Sequence, residues 1–100
     1  MIRVRYRIDK TDCLLSVEGH AEYAEKGKDI VCAGVSAICM SLYRALDVSQ
    51  TALQVMQDDG VLHLRAFDHG SDVRAMYSMA VLGLNHIAGI YSDHVRVEKI

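Results

Sequence analysis

His20 and Cys32 are the two side chains best suited by type and spacing to do chemistry. Both lie in one short stretch: Gly19, His20, Ala21, five residues, then Gly27, Lys28, Asp29, Ile30, Val31, Cys32, Ala33, Gly34, Val35, Ser36 and Ala37. A thiol and an imidazole are the minimal kit for acyl transfer, the thiolate attacking a carbonyl while the imidazole moves the proton. Asp29 precedes an almost uncharged helical run and is suited to cap it by accepting from the N–H groups of the first turn. Cys32 is then the third helical residue, where unpaired N–H groups and the positive end of the helix dipole favour a thiolate over a thiol. An ordinary cysteine, with a pKa of about 8.5, is only a few per cent ionised at neutral pH, so a helix terminus plus a nearby imidazole raise the reactive fraction by roughly tenfold or more. His20, twelve positions upstream across a loop bounded by Gly19 and Gly27, is the candidate for that imidazole. Ser36 follows Cys32 by one helical turn on the same face, within reach of the thiolate or of a substrate carbonyl.

The surrounding elements must bring these groups together. Ile2, Val4, Tyr6 and Ile8 alternate with Arg3, Arg5, Arg7 and Asp9, the period-two pattern of a half-buried strand. The polar group Asp9 to Asp12 turns the chain, and Cys13 to Glu18 returns as an antiparallel strand ending at Gly19. From Gly19 to Lys28 no periodicity survives, which predicts a loop. The helical run Ile30 to Leu46 meets no ionisable side chain other than cysteine or tyrosine before Arg44. Thr51 to Gln57 and Val61 to Phe67 predict a second hairpin about Asp58, Asp59 and Gly60. After a break around His69 and Gly70, Ser71 or Asp72 is expected to cap a second helix running to about Tyr91. Val95 and Val97, alternating with Arg96 and Glu98, predict a last strand. The order strand, strand, helix, strand, strand, helix, strand implies an α+β fold: a mostly antiparallel sheet of about five strands, two helices packed on one face, and the arginine row on the other. Helices this apolar exceed what one sheet face covers, so part of their surface is expected to be buried in a homodimer.

Composition narrows the function classes. One hundred residues, 51% hydrophobic and 24% charged with no proline, are expected to form one domain over 1–100. A formal charge of −2 makes no electrostatic case for a general nucleic-acid binder or a membrane-surface protein. The cysteines at 13, 32 and 39 are too few and too irregular for a disulfide framework, and MIRVRYRID lacks the apolar core of a signal peptide, so a cytoplasmic location with reduced thiols is expected. Ala75 to Tyr91 has no Asp, Glu, Lys or Arg and is the stretch most like a membrane span, but it falls short of the ~20 residues needed and reads as a buried helix. No C-x-x-C or H-x-x-x-H occurs, so neither a metal site nor a cofactor is expected, and His63, His69, His86 and His94 read as structural or neutral.

Taken singly, a cysteine in an apolar helix is more often a small core residue than a nucleophile, and a histidine at a strand end is more often a polar turn residue. The combination is more specific. Gly-His-Ala, the twelve-residue interval, Asp-Ile-Val-Cys-Ala and Val-Ser-Ala between Gly19 and Ala37 closely resemble the signature of the ribosomal-processing cysteine protease family known as Prp. Chain length, element order and the closing Leu-Gly-Leu, then Tyr before the last strand, extend the likeness along the chain. The resemblance implies a small cytoplasmic homodimeric cysteine endopeptidase of bacteria, found especially among Firmicutes and their relatives. It implies removal of a short N-terminal extension from the twenty-seventh large-subunit ribosomal protein, exposing the mature end needed near the peptidyl transferase centre. Cys32 matches the family nucleophile and His20 its general base, while Asp29 and Ser36 match two further motif positions in supporting roles, alongside Gly19, Ala21, Gly27 and Ala33. Gly34, where the family commonly has alanine, and Cys39, Met40 and Ser92 depart from the pattern without removing a chemical group.

For acyl transfer at this motif, His20 takes or shares the Cys32 proton, N–H groups at the start of the first helix hold the oxyanion, His20 protonates the leaving amine, and water resolves the acyl-enzyme. The loop Ala21 to Lys28, glycine-hinged and without apolar periodicity, is expected to close over a bound peptide as a lid. The expected partner is the extension peptide of the ribosomal protein, with no membrane or direct nucleic-acid contact. Arg3, Arg5 and Arg7 support a rival reading, a non-catalytic ribosome-associated binding module, and Cys32 supports a second, a thiol redox sensor.

Overall fold

Apolar residues at every second position form β1 (Ile2–Ile8), β2 (Asp12–Glu18), β3 (Leu53–Asp58), β4 (Val61–Phe67) and β5 (Val95–Lys99), with α1 (Ile30–Val48) and α2 (Ser71–Ile90) between them. The structure, a computed structural model, describes residues 1–67 and 70–100, so the loop position expected for His69 lies outside the described residues. The sheet order is β3-β4-β2-β1-β5. Every neighbouring pair is antiparallel except β1 with β5, which run parallel. This is the mostly antiparallel α+β arrangement that the pattern implied.

Alternation decides which face is covered. Ile2 and Val4 of β1, Cys13 and Leu15 of β2, and Leu62, Leu64 and Ala66 of β4 are buried on one side. There they meet Val31, Val35, Cys39, Leu42 and Leu46 of α1 and Val73, Tyr77, Ala80 and Leu84 of α2 in one core. The helical members recur every three or four positions, the stripe of an amphipathic helix. Tyr77 is wholly buried and donates its hydroxyl to the Leu64 carbonyl at 3.1 Å, which removes the cost of a dry phenol. The helices pack closely: a Cβ on Gly83 would stand 3.0 Å from Ile38 Cδ1, and one on Gly34 would stand 3.3 Å from Ile87 Cδ1. Gly34 is therefore a socket for Ile87, and its lower helix propensity is offset by that contact.

The other face carries Arg3, Arg5 and Arg7 of β1, and Asp12 accepts there from Arg65 Nε at 3.0 Å, from Arg65 Nη2 at 2.9 Å, and from Arg7. Arg65 also lies over the Phe67 ring, 4.8 Å from its centre. His63, on the same face, has Nε2 3.4 Å from Glu18.

Two expectations are corrected. The N-cap of α2 is Gly70, which makes no side-chain cap bond; Ser71 is already helical and Asp72 lies in the first turn, where its charge favours the helix dipole without capping. Among the described residues the helix long and apolar enough to cross a membrane is α1, not Ala75 to Tyr91, and its buried stripe is committed to the core.

Candidate active site

β2 ends where the chemistry begins. Gly19 has φ +96° and its N–H donates to Gly60 O at 2.8 Å, while a Cβ at this position would stand 2.3 Å from Met1 O. Only glycine meets both demands. The bend delivers His20 to the tip of the β3–β4 hairpin, where Gly60, at φ +68°, would place a Cβ 2.8 Å from His20 Nε2. The imidazole thus rests on a glycine backbone, exposed at the mouth of a cleft.

Cys32 reaches the same cleft from α1. Asp29 caps the helix, its Oδ1 accepting from Val31 N at 3.0 Å and Cys32 N at 2.9 Å. Its Oδ2 accepts from Tyr23 N at 3.0 Å and Ala24 N at 3.3 Å, so one carboxylate ties the loop to the helix start. These backbone donors, the Cys32 N–H foremost, hold the Asp29 carboxyl below the usual carboxylate range. Cys32 Sγ in turn accepts the Ala21 N–H at 3.3 Å.

His20, Cys32, Ser36 and Gly19 line one cleft of about 250 Å³, floored by Val35 and Cys39. Gly27, Asp29 and Ala33 line its outer extension. Both groups line the cleft, and among the described residues no hydrogen bond joins the His20 ring to Cys32 Sγ. Ala21 is fully buried behind them. Of the three cysteines, Cys13 and Cys39 are buried and Cys32 is part-exposed. Burial pushes the Cys39 thiol up to about 11 and raises Cys13 as well, so both stay protonated at neutral pH.

The geometry bears on two further expectations. Three N–H groups of the first turn already have acceptors: Val31 N and Cys32 N in Asp29 Oδ1, and Ala33 N in Asp29 O at 3.1 Å. The backbone donor that stands beside Sγ is instead Ala21 N–H. The loop is also anchored, although its sequence has no periodicity. The Tyr23 ring meets Tyr91 and His94 edge-on, with centroids 5.3 Å away in each case, and Ala21 O is bonded to His94 Nδ1 at 2.8 Å. Gly60, under the His20 ring, and His94, on the Ala21 carbonyl, also touch the motif residues. Gly60 carried a local signal in Asp58, Asp59, Gly60; His94, 73 residues from its partner, carried none.

Comparison with known proteins agrees with this geometry. The family described as Cysteine protease Prp matches residues 1–96. The chain is 28% identical over 93 residues to the ribosomal processing cysteine protease Prp of Mycoplasma genitalium, covering 93% of this chain and 94% of that one. It is 32% identical over 108 residues to the protein of that name from Bacillus subtilis, covering 97% and 96%. The essential ribosomal processing protease Prp from Staphylococcus aureus, in complex with a covalently linked product peptide, superposes with a TM-score of 0.90 at 27% identity, covering 100% of both chains. The same enzyme with a substrate peptide gives a TM-score of 0.83 at 26% identity, again over 100% of both. With a sequence match over residues 1–96 and a fold shared along the full chain, this protein belongs to the cysteine protease Prp family.

Proposed function

We propose that this cysteine protease removes the N-terminal extension of the twenty-seventh large-subunit ribosomal protein, with Cys32 as nucleophile and His20 as general base. The observation that carries this reading is the meeting, in one cleft, of the Cys32 thiol at a helix N-terminus and the His20 imidazole, in a chain of the Prp family. A peptide in the cleft excludes water and draws the exposed imidazole from Gly60 onto Sγ, since catalytic hydrogen bonds tighten when substrate binds. His20 takes the thiol proton, Sγ bonds to the scissile carbonyl carbon, and Ala21 N–H, beside Sγ at rest, turns to the new oxyanion. The C–N bond then breaks as His20 returns the proton to the amine, and water hydrolyses the thioester. Asp29, with both oxygens occupied by backbone N–H groups, holds the scaffold and moves no proton. Ser36, exposed on the cleft wall, bonds a peptide group of the substrate. The tethers at Ala21, Tyr23 and Asp29 restrict lid motion to the loop between them.

The same reading places the enzyme in the cytoplasm as a homodimer. Met79 and Leu82, each 71% exposed on α2, are the apolar surface a second copy covers.

The test is direct. Purified protein and its Cys32→Ala variant are each mixed with the ribosomal protein carrying its extension, and products are read by mass. A shortened product from the wild type alone is expected; no cleavage by either protein overturns the reading in favour of a binding or redox role.

A further inference from the structure

We infer that His94 is a positioning residue for the reaction, holding the Gly-His-Ala segment so that the Ala21 N–H stands at the Cys32 sulfur in the resting enzyme. The inference rests on the reading of Cys32 as nucleophile. A carbonyl oxygen only accepts, so the 2.8 Å contact between His94 Nδ1 and Ala21 O requires the proton on Nδ1 and, in the neutral ring, leaves Nε2 bare. His94 is itself fixed from elsewhere: its N–H donates to Tyr91 O at 2.9 Å and its carbonyl accepts from Ile2 N at 2.8 Å. The ring is also braced edge-on by Tyr23, at an interplanar angle of 83°. It is a post standing on β1 and on the end of α2, outside the loop it supports.

Ala21 has no exposed surface, so its carbonyl, deprived of the imidazole, is left unsatisfied or must move to find a partner. Movement of Ala21 displaces both halves of the chemistry. Its N–H sits 3.3 Å from Cys32 Sγ, and His20 is the residue before it. A displacement of 1 Å at a reacting group is enough to cost on the order of 100-fold in rate.

Two variants separate donor from bulk. His94→Phe keeps the ring against Tyr23 and removes the donor, whereas His94→Asn places an amide N–H where Nδ1 stood. Cys32 alkylation by iodoacetamide, mapped by peptide fragmentation, and kcat and KM on an extension peptide are measured in the full chain, together with melting temperature. His94→Phe is expected to slow alkylation and lower kcat by about tenfold or more with KM changed by about twofold or less, and His94→Asn to recover most of both. Proton-detected nitrogen spectra of the wild-type imidazoles give an independent signature, a His94 ring protonated at Nδ1, which stands even if His94→Phe does not fold. Alkylation of His94→Phe at the wild-type rate, an Asn variant no better than Phe, or a ring protonated on Nε2 alone overturns the inference. Failure of the protease reading is a separate result: the wild type cleaves nothing while the alkylation rates still rank wild type, Asn, Phe.

Discussion

Asp12 and Asp29 stand toward opposite ends of β2, and both are held as carboxylates by different kinds of partner. Asp12 is kept below the usual carboxylate range by the Arg65 guanidinium first and by Arg7 after it. Asp29 is kept there by neutral backbone N–H groups, with Cys32 first, then Ala24, Tyr23 and Val31. The Asp12 cluster joins β1, β2 and β4 through long, partly exposed side chains that rotate and are screened by salt. The Asp29 cluster fixes main chain, and with it Cys32 and the loop that carries Ala21. Charge pairs brace the sheet at one end; at the other, backbone hydrogen bonds hold the start of α1 and the loop whose Ala21 N–H meets the Cys32 sulfur.

The cleft end is disturbed most severely by Gly19→Ala. A side chain there meets Met1 O and forces a left-handed residue, so a loss of about 3 kcal/mol is expected in urea denaturation. Asp29→Ala frees four backbone donors at once; kcat is expected to fall by about tenfold or more and Cys32 alkylation to slow, while Asp12→Ala leaves kcat within about twofold. Asp12→Asn is expected to cost about 1 kcal/mol of stability, a loss that shrinks at about 1 M salt, where the Debye length is near 3 Å. The effect of Asp29→Asn on stability should be insensitive to the same salt.

Acid sharpens the contrast. Both carboxyls are depressed in the folded protein, so the stability they contribute is complete above the ordinary carboxylate pKa of about 4 and is lost as pH falls through the folded values. Melting temperature is expected to hold level from neutral pH to about 4 and then drop, with added salt reducing only the Asp12 share. The smallest effect is at Cys39: with its thiol pushed up to about 11 and its side chain buried, folded protein at neutral pH should take one alkyl group, at Cys32.

What was legible in the sequence was local. The alternation of Ile2, Val4, Tyr6 and Ile8 gave β1 its faces, and Asp29 could be identified as a cap because its N–H partners lie two and three residues ahead. The cap of α2 failed on the same logic, because Gly70 offers no side chain and Ser71, one position later, already lies in the helix. Contacts between distant residues left no trace. Nothing near Tyr23 announces Tyr91, and nothing near Ala21 announces His94, so a tethered loop read as an untethered one. The occupation of the helix-start donors was hidden for a different reason. A good cap and an open oxyanion hole compete for the same N–H groups, and here Asp29 occupies them.

The parallel pairing of β5 with β1 sets the order in which the molecule becomes competent. Ile2 pairs with Val95 in the sheet and donates to His94 O, so the earliest strand waits for the latest one. A chain emerging N-terminus first, at roughly 5–20 residues per second, presents His20 and Cys32 long before the support for Ala21 exists. Closing so long a loop is slow compared with forming a local hairpin or a helix. The brace on the Ala21 carbonyl therefore exists only once synthesis has passed residue 94, long after the cleft-lining residues 2 to 62 have been made.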